Sequence, residues 1–117
     1  EALRSPHANH VLQQCIVLLP PGQIQFILRE LEGRVRETAM HRFGCRVLER
    51  LLEHDCSAID GLIAEILQDI VDLATHPYGN FVVQHVLEHG SHEHRCMVVE
   101  ALKPEVSRLA RHKNASH

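Results

Sequence analysis

Apolar residues recur along this chain at helical spacing, in three matching blocks. In the clearest block, Val82, Val83, Val86 and Leu87 fall on one side when the segment is wound at about 100° per residue. Asn80, Phe81 and Gln84 fall on the other. The same split sets Val47, Leu48, Leu51 and Leu52 against Cys45, Arg46 and Glu49. It also sets Val11, Leu12, Cys15 and Ile16 against Asn9, His10 and Gln13. These blocks predict helices near 7–19, 43–54 and 78–89. Breaks follow at Pro20-Pro21-Gly22, Asp55-Cys56-Ser57 and Gly90-Ser91. Second amphipathic helices are predicted near 22–32, 58–68 and 92–102, and short third helices near 33–41, 69–76 and 104–112. Pro104 suits the first turn of the last one. No strand is predicted, because Val and Ile recur at helical rather than alternating spacing.

The blocks are copies of one another. His41–Leu52 matches His76–Leu87 at an offset of 35, and Ser5–Ile16 matches at a further 36. A fourth copy begins at His112-Lys113-Asn114-Ala115-Ser116-His117. The repeats fall at about 1–32, 33–68 and 69–103, with the fourth starting in 104–117, all within one domain. A unit this short cannot bury its own apolar face, so neighbours must stack on it. The expectation is an all-α solenoid with apolar end faces that could favour end-to-end stacking.

Composition narrows the function. Lys and Arg number 12 against 15 Asp and Glu, a formal charge of −3. Holding nucleic acid by bulk positive charge is therefore excluded; a local recognition surface is not. Aromatics are 3% with no Trp, which disfavours base-stacking sheets. No apolar run approaches the roughly 18 residues a membrane span needs. Cysteines at 15, 45, 56 and 96 form no C-x-x-C pair. With a core-rich helical chain they imply free thiols and a cytoplasmic location. Glu1-Ala2-Leu3-Arg4 lacks signal-peptide shape, and because the first residue is not Met the chain is expected to be a fragment of a longer one.

The outward triplets Asn9/His10/Gln13, Cys45/Arg46/Glu49 and Asn80/Phe81/Gln84 share the spacing i, i+1, i+4. Stacking would align them as a ridge. Asn and Gln present both donors and acceptors. His10, Arg46 and Phe81 present flat groups that stack on bases. One such triplet is an ordinary solvated helix face. Their constant repetition points to recognition of single-stranded bases.

The stretch His76–Gly90, HPYGNFVVQHVLEHG, resembles the core of a Pumilio (PUF) repeat, and the other copies share the motif. The register covers essentially the whole chain and is similar to the family's central repeats. The resemblance implies a curved, right-handed α-solenoid of three-helix repeats of about 36 residues, binding single-stranded RNA on its concave face, one base per repeat. It implies that Asn80 with Gln84, and Asn9 with Gln13, contact uracil. Phe81, His10 and Arg46 take the stacking position. Family members commonly place Tyr, His, Arg or Asn there, so Phe81 is a mild departure. Cys45 with Glu49 departs further from the family's adenine pair, Cys with Gln. A carboxylate only accepts hydrogen bonds. It matches the N1–H and N2–H donors of guanine and repels N1 of adenine. The expected element is 5′-UGU-3′, with RNA running antiparallel. Ser116 and His117 would begin a fourth site whose base is not assigned. Three sites imply affinity on the order of micromolar or weaker. The family's role is post-transcriptional control of mRNA through 3′ untranslated regions, with protein co-regulators on the convex face.

Other chemistry has less support. The run His89-Gly90-Ser91-His92-Glu93-His94-Arg95-Cys96 offers metal-ligand types. It falls at an inter-helix loop and has no echo in the other copies, so no metal or cofactor is expected. His41, His76 and His112 recur at the helix junction and are expected to be structural, near a helix C-terminus. Cys45 with His41 lacks an orienting acid for thiol catalysis. No phosphate loop, G-x-S-x-G or H-E-x-x-H occurs, so no enzyme is expected. The alternative is a helical scaffold for a protein or peptide. Such arrays have periods nearer 40–47 and lack the polar triplets.

Overall fold

The computed structural model describes residues 6–54 and 57–115. Among these described residues eight helices follow in order: α1 (Pro6–Leu18), α2 (Pro21–Leu31), α3 (Val35–Ala39), α4 (Gly44–Leu52), α5 (Ile59–Gln68), α6 (Ile70–Ala74), α7 (Gly79–His89) and α8 (His92–Ala115). No strand occurs among the described residues. The arrangement extends 48 × 30 × 22 Å. An elongated shape follows when each unit packs only on its neighbours.

The motif helices α1, α4 and α7 lie side by side in one row, α1 against α4 and α4 against α7. Their apolar faces make the core. Val47, Leu48, Leu51, Leu52, Val82, Val83 and Val86 are all buried. The second helices close it from behind with Ile24, Leu28, Leu62, Ile63, Ile66 and Val98. The short α3 and α6 link one repeat to the next. The first packs on α4 and α5, the second on α7 and α8.

Two backbone features set this register. Gly33 sits at φ 80°, in the left-handed region, and turns the chain between α2 and α3. Its N–H donates to Glu65 Oε1 on α5 at 2.9 Å. Gly44 and Gly79 begin α4 and α7 in tight contact with the preceding helix. A Cβ at Gly44 would lie 2.5 Å from the Thr38 carbonyl oxygen, and one at Gly79 would lie 2.9 Å from that of Leu73. The small residue of the repeat motif is thus a close-approach position. Arg36 also bridges to Asp69 at 3.6 Å and Asp72 at 3.3 Å. These exposed pairs contribute about 0–1 kcal/mol each.

The third repeat differs from expectation. The predicted break before 104 is missing, and α8 runs from His92 to Ala115 through Pro104. Gly33 breaks the first repeat at this point, and Asp69, at φ −119° and ψ 28°, breaks the second. Lys103-Pro104 offers neither device. Proline's fixed φ is compatible with a helix, although its missing N–H leaves one carbonyl unpaired. Moreover, α3 and α6 are held by packing on a following motif helix. No helix follows α8 among the described residues. No described helix is long and apolar enough to cross a membrane.

Gly44→Ala should lower unfolding stability by roughly 1–3 kcal/mol, the usual cost of forcing an extra methyl into a packed site. Gly22→Ala, with open space around its added Cβ, should be neutral or stabilising. Denaturant melts of the two variants would check this, and equal effects would contradict the close-approach account.

Candidate nucleic-acid interface

The motif helices α4 and α7 each begin with a histidine turn. The Nδ1 of His41 accepts hydrogen bonds from the N–H groups of Phe43 and Gly44, both at 3.1 Å. His76 does the same for Tyr78 and Gly79, again at 3.1 Å. These groups are among the four N–H donors a helix start leaves unpaired. The junction histidines therefore cap the start of the following helix, rather than the end of the preceding one as expected. The side chain of His112 lies outside the described residues.

This turn fixes where the triplets point. His10 and Arg46 are exposed, and Phe81 is 48% exposed. Asn9 and Cys45 do not project outward as the helical winding predicts. They are 2% and 3% exposed. For Asn9 the reason lies in the neighbouring repeat. Asn9 Nδ2 donates to the Phe43 carbonyl at 3.1 Å, so the next junction turn covers it. Cys45 Sγ donates to the Arg42 carbonyl at 3.4 Å. Asn80, with no further repeat over it among the described residues, is half-buried. Its Nδ2 reaches the carbonyls of His76 at 2.8 Å and Pro77 at 2.9 Å.

The amide pairs are joined. Gln13 Nε2 donates to Asn9 Oδ1 at 2.9 Å, and Gln84 Nε2 donates to Asn80 Oδ1 at 2.8 Å. In both repeats the asparagine is anchored to backbone and holds the glutamine. Glu49 replaces that arrangement with charge. Its Oε1 lies 3.5 Å from Arg50 Nη2 and 3.7 Å from His85 Nδ1. Arg50 also reaches Glu53 at 3.1 Å.

A cleft of about 350 Å³ opens along this row, lined by Gln13, Arg42, Cys45, Arg46, Glu49, Arg50, Tyr78 and Phe81. It brings together predicted residues from all three repeats. Asn80 and Gln84 line a separate recess with Thr75, His76 and Pro77. Ser116 and His117 lie outside the described residues.

Sequence reasoning missed Arg42, Arg50 and Tyr78. The arginines stand at i, i+4 and i+8 with Arg46, a spacing that was visible and that puts three cations along one edge of an otherwise acidic chain. Arg42 sits 5.1 Å over the Phe43 ring. The His89–Cys96 segment does not converge on one point. His94 pairs with Asp60 at 3.2 Å, while His92 meets Cys96 at 3.6 Å. Most of that segment is the first turns of α8 rather than a loop.

The model of the Pumilio-family RNA binding repeat matches residues 5–32, 34–67 and 69–103. The Pumilio homology domain family member 4 of Saccharomyces cerevisiae is 34% identical over 116 residues, which is 95% of this chain and 13% of that protein. Among solved structures, PUF-8 in complex with PBE-RNA superposes with a TM-score of 0.81 at 35% identity, over 90% of this chain and 32% of that one. The Puf3 RNA-binding domain bound to a Cox17 RNA 3′ UTR recognition sequence gives a TM-score of 0.78 at 29% identity, over 92% and 32%. The chain thus spans a small part of the relatives it matches.

Burial, and then the Glu49 carboxylate, push the Cys45 thiol above its ordinary value. Less thiolate is then present at neutral pH, and the thiolate is the reactive form. With iodoacetamide at about pH 8, exposed Cys15 and Cys96 should be modified before Cys45, as read by peptide mass mapping. Cys45 labelling should keep accelerating as pH rises further. Cys45 reacting first would contradict the placement.

Proposed function

The chain belongs to the Pumilio family of RNA-binding repeat proteins, and we propose that it binds single-stranded RNA by sequence along the α1–α4–α7 row, one base per repeat. The observation that carries this is the cleft that gathers Gln13, Cys45, Arg46, Glu49 and Phe81. It combines flat faces above with hydrogen-bonding edges at its floor. A stacked base gains about 1–3 kcal/mol. The reading also draws support from the RNA-bound relatives.

The anchored amides refine the roles. Asn9 and Asn80 spend their donors on backbone carbonyls and orient Gln13 and Gln84. The glutamines then meet the uracil edge without rearrangement, and the asparagines are chiefly their supports. Cys45, a neutral buried thiol, forms the floor beside Glu49. The carboxylate of Glu49 accepts from guanine N1–H and N2–H, with Arg46 and Phe81 bordering the base. His10 stacks in the first repeat. The element is 5′-UGU-3′, its 5′ base on the third repeat. Arg42 offers charge to the phosphates, so binding weakens with salt.

On this reading the repeats at 1–32, 33–68 and 69–103, with a fourth starting in 104–117, form part of one Pumilio-homology domain. Its cellular role is post-transcriptional regulation of messages in the cytoplasm through 3′ untranslated regions. The convex helices are left for protein co-regulators.

Fluorescence anisotropy with two short RNAs, one carrying UGU and one UAU at the same place, tests this. UGU should bind tighter by about tenfold, since a good bidentate pair discriminates by about 1–3 kcal/mol. Glu49→Gln should move the preference toward UAU. An unchanged preference in that variant would sink the guanine assignment. If no RNA binds even to a longer natural array containing this chain, the scaffold alternative takes its place.

A further inference from the structure

We propose that Glu53, His85 and His89 form a site for a divalent transition-metal ion of the zinc class, spanning the interface between the second and third repeats. The two histidines stand four apart on α7, so both rings project from one face. Their centroids are 5.0 Å apart. Glu53 caps the C-terminus of α4 and brings a carboxylate from the neighbouring helix. One ligand atom from each residue can be chosen so that all lie within 4.8 Å of one another.

The spacing suits coordination. Donors about 2.0–2.2 Å from a tetrahedral zinc lie roughly 3.3 Å from each other. His85 Nε2 and Glu53 Oε2 are already 3.2 Å apart. A side-chain rotation at exposed His89 supplies the third edge. Arg50 Nη1 contacts the same Glu53 oxygen at 3.1 Å, which steadies the carboxylate. Glu53 and His89 are exposed and His85 is half-buried, so water fills the remaining position.

A second carboxylate stands behind the ring. With His85 bound through Nε2, its Nδ1–H faces Glu49 Oε1, 3.7 Å away. Metal-ligating histidines usually direct their other nitrogen at such a group, which orients the ring and raises its basicity. Two imidazoles with one carboxylate favour zinc, nickel or cobalt over magnesium or calcium. The other nearby histidines only form pairs, His94 with Asp60 and His92 with Cys96. The metal site stands whether or not the α1–α4–α7 row binds RNA.

Calorimetric titration of the intact chain with zinc chloride, paralleled by cobalt(II) absorption, tests the site. Saturation at one equivalent is expected. His89→Gln and Glu53→Gln should each weaken binding at least about tenfold, whereas His92→Gln and Cys96→Ser should leave it unchanged. Circular dichroism would verify that the exposed substitutions keep the fold. No saturable binding up to millimolar metal would overturn the proposal, as would binding that survives His89→Gln and Glu53→Gln but falls with Cys96→Ser.

Discussion

Everything in this structure depends on how closely one motif helix approaches the connector before it. At Gly44 and Gly79 a hydrogen stands where any other side chain would meet a carbonyl oxygen. That contact lets α4 and α7 lie against α3 and α6, with their valines and leucines buried between repeats. The histidine caps at His41 and His76 then fix the first turn of each helix. Once the first turn is fixed, the residues that follow it must recur at the same height along the array. A repeated recognition surface is the geometric result of repeated packing.

The surface so produced is electrostatically mixed. The chain carries a formal charge of −3, and Glu49 and Glu53 stand beside Arg42, Arg46 and Arg50 along α4 and its flanking turns. Arg50 is engaged by both acids, which leaves Arg42 and Arg46 as the cations facing the cleft. On the proposed reading, such a surface would attract RNA weakly at long range and select it at contact. Affinity would then come from stacking and edge complementarity more than from phosphate neutralisation.

Much of the fold was legible in the sequence because helical periodicity and a repeat near 36 residues are local signals. The motif helices and most of their inward valines and leucines follow from spacing, although Val11 and Leu87 on the same predicted face are exposed. Three things were not legible. Winding one helix predicts an outward Asn9 and Cys45, but it cannot see the neighbouring turn. The Phe43 carbonyl belongs to the next repeat, and it is what draws Asn9 inward. The continuity of α8 through Pro104 depends on which helix packs against the connector, a tertiary matter. Lastly, the meeting of Glu53 with His85 and His89 crosses a repeat boundary, so ligand spacing along the chain could not reveal it.

The central claim is that bases meet the α1–α4–α7 row. Side-chain amide resonances of Gln13 and Gln84, followed by NMR during titration with a UGU-containing RNA, test it most directly. The account predicts that these resonances and the backbone amides near Arg46 and Phe81 shift together, while those of α2 and α5 stay in place. Shifts confined to α2, α5 and α8 would contradict it.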